Sequence, residues 1–221
     1  MGRRRYPRIG ARLPRRYKSA AALLVALGGL LVLLCEERTP LRHLEPATVV
    51  KVRDGDTIEL ADGRVVRYIG IDTPEVGRPG ADSATVFNSD YVLGRTVRLE
   101  IGNEAQDRYG RTLAFVFVDD RMINLELVKA GWAWCYFFER NMNYSDQFVR
   151  AIHDAMNARR GLWKQPSGES AGHYVGSFTA FRFHKPDCES VAGIKRQNEM
   201  SFPSRDSAFY AGFAPCGRCE P

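Results

Sequence analysis

Residues 67–75, "RYIGIDTPE", combine the pattern of a buried strand with the polar ending of a candidate site. The run after Arg67 is apolar apart from one glycine, which indicates a strand of the core. It ends in two carboxylates three residues apart, Asp72 and Glu75, and Pro74 restricts the backbone between them. A strand that ends this way predicts two acidic side chains held on a rigid scaffold.

The sequence around this stretch predicts a small barrel. Residues 47–71 contain β-branched runs separated by "DGD" and "ADG", which are typical of hairpins. The other predicted elements are two strands, at 96–101 and 112–118, and three helices. The helices are predicted at 83–93, from 123 to a C-cap at Gly131, and from about 145 to a stop near Gly161. The last helix should be capped by Ser145 or Asp146. About five strands with three helices predict a mainly β plus α protein with an OB-fold barrel.

The basic charge of the chain is concentrated at its N-terminus. Residues 1–18 contain eight Arg and Lys and no acid, so the positive charge of this segment alone exceeds the formal net charge of the whole chain, which is +6. The remainder is slightly acidic, so overall basicity gives no argument for nucleic-acid binding. Residues 19–35 then run for 17 residues without a charge, which is just long enough to span a bilayer.

A cationic arm before an apolar segment indicates a membrane or secretion signal, with the N-terminus in the cytoplasm and the rest exported. No small-x-small cleavage site follows it. This favours a single-pass membrane anchor, and the alternative is a protein secreted after signal cleavage. Cys35 is a candidate for lipid attachment, but Leu34 before it is bulkier than lipoprotein signals require.

The predicted organisation has six parts, and the second linker is recognised by its Gly, Ser and Pro content. They are a basic cytoplasmic arm at 1–18, an anchor or signal segment at 19–35, a linker at 36–46, a barrel domain at 47–164, a linker at 165–172 and a small C-terminal unit at 173–221.

Carboxylates at predicted strand ends indicate a metal site. Asp56, in "DGDT", and Asp72 supply the oxygen ligands that hard divalent cations prefer, and the Thr73 carbonyl lies within plausible reach. Glu75 would then be close enough to orient or activate a water. The alternative interpretation of "DGDT", taken alone, is an ordinary hairpin turn.

Two arginines add phosphate-binding chemistry to these acids. Arg67 lies five residues before Asp72, on the opposite face of a regular strand, so a bulge or bend is needed to bring them together. Arg111 lies in "DRYGRT", a turn between two strands. A metal and two planar guanidinium groups stabilise the charge that develops on a phosphoryl group. The alternative is a set of surface ion pairs, which contribute little energy.

Five motifs across the barrel domain resemble one known family. In order and spacing, "DGDT", "RYIGIDTPE", "DRYGRTLAFV", "INLELVKAGWA" and "ARRGLW" make residues 47–164 similar to the staphylococcal nuclease (thermonuclease) family. The resemblance implies an OB-type barrel with three helices that uses Ca²⁺ to hydrolyse phosphodiester bonds of DNA and RNA. It also implies that Asp56, Asp72 and the Thr73 carbonyl bind calcium, and that Glu75 is the general base.

The same resemblance implies roles for further residues of the barrel. Arg67 and Arg111 would bind the phosphate and stabilise its transition state. Tyr109 and Tyr136 would contact the nucleotide, and Asp54 would support the ligands of the ion. The loop after the general base is shorter than the lysine-rich loop of the family, so preference between DNA and RNA is left open.

The C-terminal unit contains a Cys/His pattern that is typical of zinc. His184 and Cys188 have the spacing H-x₃-C, and Cys216 and Cys219 have the spacing C-x₂-C. A unit of about 50 residues has little core, so a metal would supply much of its folding free energy. The alternatives are a redox pair or disulfides, which export would permit.

Two segments of this unit, "FHKPDC" and "SFPSRDSAFYAGFAPCGRC", resemble the small zinc domain of Ada-type DNA-repair proteins. His184 stands where that domain has its first cysteine. One cysteine of the repair proteins also accepts a methyl group, whereas here the resemblance implies a structural zinc or an accessory DNA contact.

Three functions follow from these patterns. The first is a membrane-anchored, calcium-dependent endonuclease that acts on DNA or RNA outside the cytoplasm. The second is a non-catalytic nucleic-acid-binding module, and the third is a zinc-stabilised interaction protein, although no protein partner is evident from the sequence. Convergence of Arg67, Asp72, Glu75 and Arg111 in one pocket would favour the first.

Overall fold

The computed structural model describes residues 44–138, 141–164 and 172–221. The predicted arm at 1–18 and anchor at 19–35 lie outside these residues, as do most of both predicted linkers. None of the helices in the described ranges is long and apolar enough to cross a bilayer. The membrane anchor therefore stays a prediction.

A closed five-stranded barrel forms the centre of the fold. Within residues 44–138 the strands are β1 (Glu45–Val52), β2 (Thr57–Leu60), β3 (Val65–Tyr68), β4 (Gly70–Asp72), β5 (Thr96–Gln106), β6 (Thr112–Val118), β7 (Arg121–Met122) and β8 (Trp134–Tyr136). Antiparallel pairs join β3 to β2, β2 to β1, β1 to β5 and β5 to β6, and a parallel pairing of β3 with β6 closes the ring. The predicted OB-like barrel is thus confirmed.

Three helices pack on this barrel, as the sequence predicts. Their bounds are α1 (Ala81–Val92), α2 (Ile123–Lys129) and α3 (Ser145–Asn157), and a 3₁₀ turn follows at Gly161–Lys164. The predicted cap of α3 is wrong. Ser145 is already helical, the N-cap is Tyr144 with φ of 65°, and among the described residues no side chain caps this helix.

A break between β3 and β4 sets the geometry of the candidate site. Gly70 has φ of +83°, which glycine adopts without strain, and a Cβ there would lie 2.9 Å from Cε2 of Phe148. The buried Asn124 donates a hydrogen bond of 2.9 Å to the carbonyl of Ile69, next to the break. This bond satisfies a buried backbone acceptor at the point where the strand is interrupted. This break is the bend that the sequence requires within "RYIGIDTPE".

The C-terminal unit (residues 173–221) is built on a four-stranded sheet in the order β11-β9-β10-β12, in which β10 and β12 are parallel. The strands are β9 (Tyr174–Ser177), β10 (Arg182–His184), β11 (Glu199–Phe202) and β12 (Ala214–Pro215), with 3₁₀ turns at Glu189–Gly193 and Arg196–Asn198 and one helix, α4 (Arg205–Tyr210).

Aromatic side chains join this sheet to the barrel. The ring centroid of Phe209 on α4 lies 5.8 Å from that of Trp134 and 5.0 Å from that of Trp163. Phe181 packs edge-on against Phe137 at 6.1 Å. The described residues accordingly fall within one compact unit. The domain boundary predicted at 165–172 stays a prediction.

Candidate active site

One cleft brings together the residues predicted in the barrel. Its volume is about 1350 Å³, and residues of the barrel and of the C-terminal unit line it. The nine predicted residues of the barrel all lie along it, and they are Asp54, Asp56, Arg67, Asp72, Thr73, Glu75, Tyr109, Arg111 and Tyr136. The expected convergence is therefore present, while the role of each side chain stays a prediction.

Arg67 connects the two aspartates at the strand ends. Its Nε lies 3.1 Å from Oδ1 of Asp56, and its Nη2 lies 2.7 Å from Oδ1 of Asp72. Its Nη1 donates to the carbonyls of Tyr68 and Ile71 at 2.7 and 3.0 Å. The side chain is buried, so these four contacts fix the guanidinium in one orientation between the acids.

Asp56 is the more deeply buried of the two acids. Its Oδ2 accepts hydrogen bonds from the N–H and the hydroxyl of Thr73 at 2.9 and 3.0 Å. Burial raises the pKa of the Asp56 carboxyl to about 7, although the positive charge of Arg67 acts in the opposite direction. Gly55 permits this packing, because a Cβ there would lie 2.8 Å from Oγ1 of Thr73. Asp56 is thus a buried acid whose ionised form a cation would stabilise.

The loop that carries Asp56 is anchored to α1. Asp54 Oδ1 accepts the N–H of Asp56 at 3.0 Å. The buried Asn88 donates to the Asp54 carbonyl at 3.2 Å, and its Oδ1 accepts the Tyr68 hydroxyl at 2.8 Å. Asp54 therefore shapes the loop, which is consistent with the supporting position that the sequence predicts. Asn88 was not predicted, because a polar residue on a helix carries no signal of a partner 34 residues away.

Arg111 lies in the turn between β5 and β6 and is held by Asp107. Its Nε lies 2.7 Å from Oδ2 of Asp107, and its backbone N–H donates to Oδ1 at 3.0 Å. Partial burial raises the pKa of the Asp107 carboxyl, but the hydrogen bonds from Arg111 outweigh this effect and hold the pKa below its usual value. The Cζ of Arg111 is 5.6 Å from the ring centroid of Tyr109, so the turn presents an arginine and an exposed tyrosine together.

Glu75 is exposed at the cleft, two residues after the buried Thr73. Within the described part of the chain its carboxylate forms no ion pair. An acid that is not engaged by an arginine can accept a proton from a neighbouring water. This distinguishes Glu75 from Asp56 and Asp72, whose oxygens contact Arg67.

Arg182 is a cleft residue that the sequence did not indicate. Its Nη2 lies 3.5 Å from Oδ2 of Asp72, and its Cζ lies 3.9 Å from the ring centroid of Tyr136. Phe138 packs edge-on against the same tyrosine at 4.4 Å. One face of the Tyr136 ring is therefore covered by a guanidinium. No spacing pattern relates Arg182 to Asp72, since 110 residues separate them.

The four predicted zinc ligands converge in the C-terminal unit. One ligand atom from each of His184, Cys188, Cys216 and Cys219 lies within 4.8 Å of all the others. The three thiols are unbridged. Nδ1 of His184 is buried and has no hydrogen-bond partner among the described residues. An orphaned imidazole nitrogen beside three thiols fits a tetrahedral metal site.

The environment of His184 favours its neutral form. Burial lowers the pKa of this imidazole, and the charge of Arg182 lowers it further. The neutral ring is the form that coordinates metal ions.

Comparison with known proteins agrees with this geometry. Residues 65–165 match the family described as staphylococcal nuclease homologue. This match does not extend to the C-terminal unit, so the similarity of that unit to the Ada-type zinc domain stays a prediction.

Individual relatives give the same result. The thermonuclease of Staphylococcus hyicus is 36% identical over 124 residues, which cover 52% of this chain and 73% of the relative. The thermonuclease of Staphylococcus intermedius is 36% identical over 130 residues, which cover 55% of this chain and 77% of the relative. An SPbeta prophage-derived endonuclease of Bacillus subtilis is 33% identical over 135 residues, which cover 56% of this chain and 46% of the relative. With the closed barrel and the converging side chains, these similarities show that the chain belongs to the staphylococcal nuclease family.

Proposed function

We propose that this protein is a metal-dependent endonuclease that hydrolyses phosphodiester bonds of DNA, RNA or both. The observation that carries the proposal is the junction of Asp56, Arg67 and Asp72 in a cleft that the unengaged carboxylate of Glu75 also lines. Relatives named thermonuclease and endonuclease support the same reaction class.

Calcium is the ion that we assign to this site. Asp56, Asp72 and the carbonyl of Thr73 would hold it, because an all-oxygen donor set suits a hard cation. The burial of Asp56 supports the assignment, since Arg67 is a single positive charge shared between Asp56 and Asp72, and a further cation would stabilise the ionised form of the buried acid. When bound, the ion would offset the negative charge that develops on the phosphoryl oxygens.

The reaction then divides among three side chains. Glu75 accepts a proton from a water, and the water oxygen forms a bond to phosphorus. The bond from phosphorus to the 5′-oxygen breaks, and the 5′-oxygen keeps the bonding electron pair and takes a proton from solvent. Arg67 donates to a phosphoryl oxygen through the one Nη2 N–H that Asp72 leaves free. Arg111, whose Nε contacts Asp107, donates through its two Nη groups. General-base catalysis of this kind contributes about 10²- to 10⁴-fold to the rate.

Aromatic residues beside the arginines are assigned to nucleotide contacts. Tyr109 is 68% exposed and adjoins Arg108 and Arg111, so its ring is accessible to a base. Tyr136 is assigned to the same role on the part of its ring that Arg182 leaves uncovered.

The Cys/His cluster is proposed to bind a structural zinc ion through His184, Cys188, Cys216 and Cys219. The orphaned, neutral imidazole and the unbridged thiols support this assignment. Its chemistry would be to crosslink β10 with the C-terminal segment, and the unit would serve as a scaffold beside the nuclease cleft.

The location proposed for the enzyme follows from the sequence of its N-terminus. The segment 19–35 would anchor the chain in a membrane, with 1–18 in the cytoplasm and the nuclease outside, or it would be cleaved to release a secreted enzyme. Fractionation of expressing cells, with protease added to intact spheroplasts, distinguishes these arrangements.

The reaction is tested by digestion of supercoiled plasmid and of single-stranded RNA with the full chain, in calcium and in EDTA. We expect cleavage in calcium, none in EDTA, and loss of calcium-dependent cleavage in Asp72→Asn. Asp120→Asn is the matched control, because Asp120 is fully exposed and lies outside the cleft. Binding of both nucleic acids without cleavage under any metal would instead support a non-catalytic binding module.

A further inference from the structure

Besides the two predicted arginines of the barrel, Arg67 and Arg111, the cleft is lined by Arg182, which comes from the C-terminal unit. Arg182 begins β10 of the C-terminal unit, and its side chain lies against Asp72 and the ring of Tyr136. The family match ends at residue 165, so this arginine is an addition to the part of the chain that the family describes.

The contacts of Arg182 hold its guanidinium in place but use few of its donors. Nη1 donates to the Pro215 carbonyl, and Nη2 has a long contact of 3.5 Å with Asp72. Arginine has five N–H donors, and within the described residues no further acceptor contacts them. A quarter of the side chain is exposed, and it lines the cleft. A partly exposed guanidinium with spare donors is suited to an anionic ligand.

The position of Arg182 relative to the acid pair identifies which anion fits. Asp72 is contacted at Oδ1 by Arg67 and at Oδ2 by Arg182, so the two guanidinium groups flank one carboxylate. A phosphate in contact with Arg67 would lie near Arg182 as well. Since the strand of a nucleic acid carries a phosphate at every nucleotide, a second cation beside the first can hold the same phosphate or its neighbour.

We propose that Arg182 is a phosphate-binding residue of the nuclease cleft, supplied by the C-terminal unit. It binds the phosphate backbone of the substrate beside the scissile position, and the C-terminal unit thereby forms one wall of the substrate site. This inference rests on the proposed nuclease function and adds a binding residue to it.

The test measures binding separately from cleavage. In the full chain carrying Glu75→Gln, affinity for a short fluorescein-labelled oligodeoxythymidine is measured by anisotropy at several salt concentrations. We expect Arg182→Gln to weaken binding about tenfold or more and to lower the slope of log affinity against log salt by about 0.7, the value for one lost contact to a single-stranded phosphate. Arg182→Lys should keep the slope and lose part of the affinity.

The matched control is Arg196→Gln, because Arg196 is exposed on the same unit and lies outside the cleft. Thermal unfolding identifies any variant that fails to fold. If Arg182→Gln does not fold, the affinity of Arg182→Lys is compared with that of Arg196→Gln instead. Binding by Arg182→Gln that equals or exceeds binding by Arg196→Gln would overturn the proposal. A wild-type chain that does not cleave in calcium would instead refute the nuclease function, whatever the result of the binding comparison.

Discussion

Arg67 and Asp72 are five residues apart, and their side chains meet with 2.7 Å between Nη2 and Oδ1. A regular strand would place them on opposite faces. The left-handed conformation of Gly70 interrupts the strand between them, and Asn124 satisfies the carbonyl next to the interruption. The candidate site therefore depends on a local irregularity of the barrel and on the groups that stabilise it.

Gly70→Ala tests this dependence. A Cβ at Gly70 would lie 2.9 Å from Phe148, and its φ of +83° disfavours any other residue. We expect a loss of about 1–3 kcal/mol of unfolding free energy by urea denaturation, together with reduced cleavage at temperatures where the variant is folded. Gly63→Ala is the control, because its φ is also positive but no atom lies within 4 Å of its Cβ. Equal activity in the two variants would contradict the role of the bend.

Arg67→Met tests the charge balance of the acid pair. Removing one partner of a buried ion pair costs about 3–5 kcal/mol, because the remaining charges are left unpaired. Protonation of Asp56, whose pKa is already raised to about 7, limits this loss. Denaturation with and without calcium measures the effect, and we expect a smaller loss in calcium because the ion replaces the missing positive charge. A loss independent of calcium would show that the acids do not hold the ion. Arg121→Met, at an exposed position, is the control.

Asp107→Asn tests the ion pair that positions Arg111. The folded-state pKa of Asp107 lies below its unfolded value, so the ionised acid stabilises the fold at neutral pH, and this contribution disappears as pH falls through the folded-state pKa. Because Arg111 is partly exposed, we expect only about 0.5–1 kcal/mol at pH 7. The difference between wild type and variant should shrink below about pH 4, as measured by urea denaturation. A difference that is constant with pH would contradict the pairing.

Removal of the proposed zinc ion should affect the nuclease cleft. Arg182 is two residues before His184 on β10, and the N–H of Cys216 donates to the carbonyl of Phe183, between them, at 2.9 Å. The strand that carries the arginine thus carries one candidate ligand and is hydrogen-bonded to a second. We expect one zinc per chain by elemental analysis and loss of it in Cys219→Ser. The oligonucleotide affinity of Cys219→Ser should fall to the affinity of Arg182→Gln. Combining Cys219→Ser with Arg182→Gln should lower the affinity no further.

The control for this experiment is Cys135→Ala, because Cys135 is buried in the barrel core, outside the cluster. Stoichiometric zinc in Cys219→Ser, or a thiol count indicating disulfides in the wild type, would contradict the metal site.

The barrel and most of the cleft could be predicted because their signals are local. Strand ends marked by "DGDT" and "IDTPE" locate Asp56, Asp72 and Glu75, and the alternation of β-branched residues locates the strands. The ligand pairs of the C-terminal unit are also visible as short spacings within the chain.

The missed features are long-range. Asn88 and Asn124 are buried polar residues that each hold a carbonyl far away in the sequence, 34 residues away for Asn88 and 55 for Asn124. Nothing in their neighbours distinguishes them from exposed asparagines. Arg182 reaches Asp72 only because aromatic packing places the C-terminal unit against the barrel. Packing of this kind is determined by the whole fold, so spacing along the sequence cannot indicate it.

We propose that Glu75 is left free to deprotonate water while Asp56 and Asp72 hold the ion. The most direct test of this proposal is the single-turnover cleavage rate of Glu75→Gln at saturating calcium and saturating oligonucleotide, with Glu199→Gln as the exposed control. We expect a rate about 10²- to 10⁴-fold below wild type, with oligonucleotide affinity and thermal stability unchanged. A rate within a factor of about two of the control, which is too small a change for general-base catalysis, would contradict the proposal.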